Sequence, residues 1–266
     1  MHDRVVDRAA AHTSPRDLAI RDWLLVALSF SSGIYDAIFF LSFGKVFAAF
    51  QTGNLVFLGL GVDGTRPPAG PNPVTVVVSL AAFAAGAALA MWILKAFDGN
   101  QEVEDKDVFQ VWPRRVSVTL GAGLIVQCGF LAGWLATSTP ASLTYLLVAL
   151  GAVGMGLQMN AARSLHVPGI STTAFTATFI SLASGIATWS LTATAALRLT
   201  GTLVGLAVGA FLGDWLLYHA HAFAPVVPVI VIAAVISVAS VALNHSQRRP
   251  VLAGGWHHWP LQHAVS

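Results

Sequence analysis

Two stretches, FGKVFAAFQTGNLVFLGLGV (43–62) and HVPGISTTAFTATFISLASGIA (166–187), decide the fold. Each opens on helix breakers and polar residues and continues as a short apolar run. An ordinary span needs about 20 apolar residues. Irregular backbone at membrane depth is tolerated only where protein or a water-filled cavity satisfies its polar groups. Paired, interrupted segments at matching places in two halves of a membrane chain point to a transporter binding site.

Six longer apolar runs surround these two. They fall near 22–43, 74–96, 115–136, 142–163, 200–219 and 223–243, with the interrupted runs at 46–62 and 170–189 between them. The expected fold is therefore an all-α polytopic membrane protein with about six crossing helices and two short or re-entrant ones. Composition agrees: 56% of the 266 residues are apolar and 10% charged, whereas a soluble domain carries about 25% charged residues. The single cysteine, Cys128, excludes a disulfide scaffold. The net charge of +2 gives nucleic acid no reason to bind. The first twenty residues lack the apolar core of a signal peptide, so the first run is expected to stay in the membrane.

Shifting the chain by 124 residues sets Asp36-Ala37 on Asn160-Ala161, Thr52 on Thr176 and Gly61 on Gly185; a shift of 123 sets GAALAMWIL (86–94) on GAFLGDWLL (209–217). This similarity predicts two repeats, 21–137 and 138–244, between tails 1–20 and 245–266. Lysine and arginine stay on the cytoplasmic side. If all eight runs cross and the N-terminus is inside, Lys45, Lys95, Lys106, Arg114, Arg115 and Arg163 fall outside, six of the fourteen basic residues. If the second and sixth runs return to the side they left, only Lys45 and Arg66 do. The second arrangement is expected, with both tails cytoplasmic and each half crossing three times. An odd number of crossings inverts the second half relative to the first.

With these segments placed, SGIYDAIFFLSFGKVFAAFQTGNLVFLGL (32–60) and GMGLQMNAARSLHVPGISTTAFTATFISLA (154–183) resemble the YoaK-type family. The shared elements are G-x-x-D-A and T-G-N-L in the first half, and Q-N-A, V-P-x-x-S-T-T and T-G-T patterns in the second. The resemblance spans about residues 20–245. Gln51 stands where the family has Met, Met159 is inserted between Gln158 and Asn160, and Ala177 replaces the glycine of T-G-T. The resemblance implies a bacterial inner-membrane, permease-like protein and supplies no substrate.

Candidate substrate or ion ligands follow from polar residues inside apolar runs. Asp36 lies well inside the first helix, where an ionisable residue usually faces a cavity. It reads either as a carrier of coupling protons or cations, or as a structural group bonded to amides of the interrupted segment. Gln51, Thr52 and Asn54 stand where the second segment begins a helix. Thr172, Thr173, Thr176 and Thr178 occupy the corresponding place in the second half. Helix N-termini suit anions, yet Thr and Asn are also ordinary N-caps. Gln158 and Asn160 lie in the fifth run. Arg163, which reads as an anion ligand or a snorkelling arginine, and Asp214 are accessory candidates. The histidines lack the spacing of a metal site, and no metal or cofactor is expected. Gln127 and Cys128 read as packing residues. Small residues at 81–90 and 205–213 allow close helix contact, between the halves or in a homodimer.

No H-E-x-x-H, G-x-S-x-G or intramembrane carboxylate pair is present, so no enzyme is expected. The expected function is a small-solute secondary transporter whose inverted halves rock about a central site, with the lipid bilayer and a small solute or ion as partners. A channel and a scaffold that binds a partner protein are the alternatives.

Overall fold

The computed structural model describes residues 14–62, 70–98, 111–136, 143–167 and 175–243. Its helices are α1 (Pro15–Ser42), α2 (Gln51–Val62), α3 (Pro73–Asp98), α4 (Arg114–Ala136), α5 (Thr144–Arg163), α6 (Phe175–Ala187), α7 (Ala193–His219) and α8 (Val226–Val238). A π-helical turn, Ala239–Leu243, extends α8. With the short turn at His221–Phe223, the α8 region makes a sixth segment long and apolar enough to cross a membrane, beside α1, α3, α4, α5 and α7. The protein is an all-α polytopic membrane protein. Its outer surface is apolar: Trp92, Ile125 and Phe211 are 70%, 75% and 69% exposed. An apolar girdle of that size belongs in lipid.

Local chemistry sets the helix ends. Ser14 Oγ accepts the amide of Arg16, Pro15 occupies the first turn, and Asp17 meets the positive end of the helix dipole. The first helix therefore starts at Pro15, inside the stretch expected as a tail. It ends where Gly44 (φ 80°) and Lys45 (φ 66°) turn left-handed. That turn delays α2 to Gln51, later than the start of the apolar run at 46. Thr192 caps α7 by accepting the amide of Ala195, which carries the helix back from position 200 to Ala193.

Close packing fixes the direction of every long helix. Val26, Phe30 and Ile34 of α1 meet Gly205, Gly209 and Gly213 of α7 in ascending order, so the two run parallel. Val153 of α5 meets Gly86 of α3, and Gly156 meets Phe83 and Ala87, a second parallel pair. Between these pairs the order reverses: Phe39 of α1 touches Gly151 of α5, while Leu28 and Ser32 meet Gln158. Gly123, Gln127 and Gly133 of α4 likewise meet Leu157, Gly154 and Leu147 of α5 in descending order. The Trp134 indole at the end of α4 donates to the His221 carbonyl at the start of the last segment (3.2 Å). Thus α1, α4 and α7 point one way, and α3, α5 and α8 the other. Because α1 and α3 are antiparallel, the chain through α2 comes back to the end it left; the same holds for α6 between α5 and α7.

The two parallel pairs are built alike. A Cβ on Gly33 would meet the Leu206 carbonyl oxygen and the Ala210 nitrogen; one on Gly156 would meet the Phe83 carbonyl oxygen and the Ala87 nitrogen. Likewise Gly209 abuts Phe30, and Gly86 abuts Val153. Every one of these residues has its counterpart 123 positions away. That register equates Asn160 with Ala37, one residue off the pairing with Asp36 read from the sequence.

The interior has an apolar cluster at each end. One gathers Tyr35, Ile38, Phe39, Phe43, Val46, Phe130, Trp134, Leu147 and Val148; the other Leu24, Leu25, Leu28, Trp112, Val116, Leu120, Ile232 and Val235. Between them lie the buried side chains of Ser31, Ser32, Gln127 and Gln158.

Candidate functional site

Asp36 is buried beside the loop that leads into α2. Its Oδ1 accepts the amides of Ala48 (2.9 Å) and Ala49 (2.7 Å). Asn54 completes the clamp: its Oδ1 accepts the Phe47 amide (2.8 Å), and its Nδ2 donates to the Phe47 carbonyl (2.8 Å) and to Gln51 Oε1 (2.8 Å). Gln51 Nε2 donates to the Ala48 carbonyl (2.8 Å). Ser79 of α3 donates its hydroxyl to the Phe47 carbonyl (2.8 Å) and accepts Asn54 Nδ2 (3.2 Å). Phe47 itself stacks against Phe40 and Phe57. A non-helical loop in this position must place its amides and carbonyls somewhere. These four side chains do that for residues 47–49.

Three expected ligands, Asp36, Gln51 and Asn54, are thus brought together, and their hydrogen bonds go to loop backbone, to Ser79 and to one another. Thr52 points outward, exposed. In the second half Thr178 is buried (1% exposed), while Thr176 is exposed; Thr172 and Thr173 lie outside the described residues. Thr178 is the fourth residue of α6 as Asn54 is of α2, Thr202 of α7 lies 123 residues after Ser79 of α3, and all four are buried. Asn160 donates to the Ala87 carbonyl of α3 (2.8 Å), an interhelical bond away from the α2 loop. Arg163 and Asp214 are exposed toward the ends of their helices, on the outside of the bundle.

A second polar group lies between the apolar clusters. Gln158 of α5 donates to the Leu28 carbonyl (3.2 Å) and Ser32 Oγ (3.2 Å) of α1. Gln127 of α4 points Nε2 at Gln158 Oε1 (3.5 Å) and Met155 Sδ (3.9 Å). Gln127 Oε1, Ser31 Oγ and Tyr35 OH are buried without a hydrogen-bond partner. Orphaned polar atoms in a dry interior are costly, about 1–3 kcal/mol each, and mark a place able to take a hydrogen-bonding guest.

Of this second group the sequence singles out Gln158 alone. Ser31 and Tyr35, one turn apart on α1, carry the signal of a polar stripe within an apolar helix. Gln127 reads only as a packing residue in the sequence, and Ser79 is not distinguished there from other small residues of its run. Among the described residues no group of three or more His, Cys, Asp or Glu is placed to hold a metal ion.

The chain matches the family model described as "Protein of unknown function (DUF1275)" over residues 24–238. It is similar to the UPF0700 transmembrane protein YoaK of Bacillus subtilis (strain 168), 30% identical over 168 residues, which cover 63% of this chain and 68% of that relative. No solved structure matches it. With the family model spanning most of its length, this chain with six apolar segments long enough to cross a membrane belongs to the DUF1275 family.

Proposed function

We propose that this protein is a permease-like secondary transporter of the bacterial inner membrane, with both tails cytoplasmic, and that it moves a small uncharged solute. The observation that carries this reading is the middle layer of amides and hydroxyls, in which Gln127, Ser31 and Tyr35 keep unpartnered polar atoms. Such groups recognise hydrogen-bonding solutes and exclude apolar ones. The 123-residue register of the parallel pairs α1/α7 and α3/α5 supports descent from two inverted repeats, the arrangement in which transporters place a site between halves. The positions of α2 and α6 at opposite ends fit the same scheme.

One observation favours a channel as the second reading. Asp36, the buried carboxylate that the sequence leaves open as a proton or cation carrier or as a structural group, is engaged with the Ala48 and Ala49 amides. A pore has no need of a titrating carrier.

The test is thermal unfolding of the purified protein against a panel of small neutral and charged polar solutes. A ligand that binds only the folded state raises its stability with concentration. A neutral hit whose shift disappears in Gln127→Leu supports the central site, and saturable counterflow of that solute in proteoliposomes separates a transporter from a channel. A panel without any shift on well-folded protein overturns the transporter reading.

A further inference from the structure

Toward the end of α1 the middle layer is closed by aromatic rings. Tyr35, Phe39 and Phe43 recur every four residues on α1, and Phe130 and Trp134 do so on α4, so each set lies along one face of its helix. The two helices point the same way, and their stripes meet. Between ring centroids, Phe130 lies 5.7 Å from Tyr35 and 5.6 Å from Phe39, and Trp134 lies 6.0 Å from Phe43. The Trp134 indole stacks on the His221 imidazole at 4.7 Å and donates its Nε1–H to the His221 carbonyl (3.2 Å). A continuous column of rings therefore runs from Tyr35, whose hydroxyl is one of the unpartnered groups of the middle layer, to His221, which is exposed.

The plug on the other side of the layer is made differently. It is aliphatic around Trp112, and that indole donates to Ser117 (3.0 Å) within its own segment. Trp134 instead joins α4 to the turn between α7 and α8, which lie in different repeats of the sequence reading. A relative movement of the two halves would shear the Trp134–His221 contact and leave the Trp112–Ser117 bond alone. An apolar constriction bars water and polar solutes by dewetting. Flat side chains clear it by changing rotamer, with the helices intact. We propose that the aromatic column is the access route from the Lys45 end to the middle layer, and that Trp134, latched on His221, is the side chain that closes it. The inference rests on the reading of the middle layer as a solute site. Its test reads water access and needs no solute, so a solute panel without hits and a failed gate are separate results.

Ser31 supplies the reporter. Tyr35 and Phe130 meet on parallel helices, so Ser31 and Gln127, about one turn earlier on each, share a depth just beneath the column. The test follows Ser31→Cys in the full-length protein, on a Cys128→Ala background, with a membrane-impermeant methanethiosulfonate in right-side-out and inverted vesicles. Lys45→Cys marks the face from which the column is approached. With Trp134 in place the reporter should react slowly from either face. Trp134→Ala should speed the reaction about tenfold or more from the Lys45 face and leave the opposite face unchanged, since local opening sets how fast a buried group is reached. A bundle that is merely loosened would react faster from both faces. Should Trp134→Ala fail to fold, His221→Ala decides: it strips the stacked imidazole from an exposed position and should give the same one-sided acceleration, at about threefold. Equal acceleration from both faces, no acceleration in a folded variant, or a reporter already fast with Trp134 present would overturn the proposal.

Discussion

The carboxylate of Asp36 holds the amide of Ala49 at 2.7 Å, thirteen residues further along the chain. A transmembrane helix thereby caps the loop that launches its short neighbour. From sequence this group reads either as a carrier of protons or cations or as a structural group bonded to loop amides; in the structure its Oδ1 holds loop amides. Replacing it tests that role directly. Asp36→Asn keeps an acceptor oxygen and should lose about 1 kcal/mol through weakening of two charge-assisted bonds; Asp36→Leu leaves the Ala48 and Ala49 amides buried without an acceptor and should lose about 3 kcal/mol. Denaturation in micelles measures both. A Leu variant as stable as the original would remove Asp36 from the loop clamp.

Gly33 and Gly156 offer a test of the internal symmetry. Each lies against the backbone of a parallel partner, α7 in one case and α3 in the other. A side chain there must push backbone aside, because the nearest atoms are a carbonyl oxygen and an amide nitrogen. Gly33→Val and Gly156→Val should each cost about 3 kcal/mol, at the upper end for overpacked cores. The two losses should agree within about 1 kcal/mol, since the neighbours displaced are alike. One severe and one harmless substitution would mean that the pairs are not equivalent.

Much of this architecture is legible in the amino-acid sequence. Apolar length gives the six spans, and the Gly-Lys and His-Val-Pro-Gly breaks give the two short helices, because chain breakers and burial act locally. The charge count predicts the return of α2, and the directions of α1 and α3 agree. The correspondence between the two parallel pairs is legible only in part. The sequence reads 123 for α3 and α7 but 124 for α1 and α5, where alanines and glycines align almost as well one residue off, and the backbone contacts of Gly33 and Gly156 select 123 there too. The candidate site is least legible. Asp36, Gln51 and Asn54 stand out as polar residues in apolar surroundings, but sequence does not say whether such groups face a guest or a loop. Ser79 and Gln127 acquire meaning only from helices distant in the chain.

Loop sidedness follows from the helix directions. Lys45 and Asn72, on either side of α2, should react from one face of the membrane; His166 and Ser190, on either side of α6, should react from the other. Single cysteines at these four positions, introduced on a Cys128→Ala background, can be labelled with a membrane-impermeant maleimide in intact cells and in inverted vesicles. Lys45→Cys and Asn72→Cys reacting from opposite faces would make α2 a crossing helix and contradict the antiparallel order of α1 and α3.

The two buried glutamines should respond in opposite ways to loss of their amides. Gln158 satisfies the Leu28 carbonyl and Ser32 at 3.2 Å each. Gln158→Met keeps the volume and removes both donors, so it should lose about 1 kcal/mol, within the range of interhelical hydrogen bonds in membranes. Gln127 gives little to its neighbours: its Nε2 reaches Gln158 only at 3.5 Å, and its Oε1 is buried unpartnered. Gln127→Met removes that orphaned oxygen and should melt no lower than the original, because burying an unpaired acceptor costs more than so long a bond contributes. Residues that hold unsatisfied groups at a site commonly trade stability for function. Melting curves of the two variants, recorded side by side without solute, decide the matter. A Gln127→Met protein destabilised as much as Gln158→Met would make Gln127 an ordinary structural residue and take the middle layer out of consideration as a binding site.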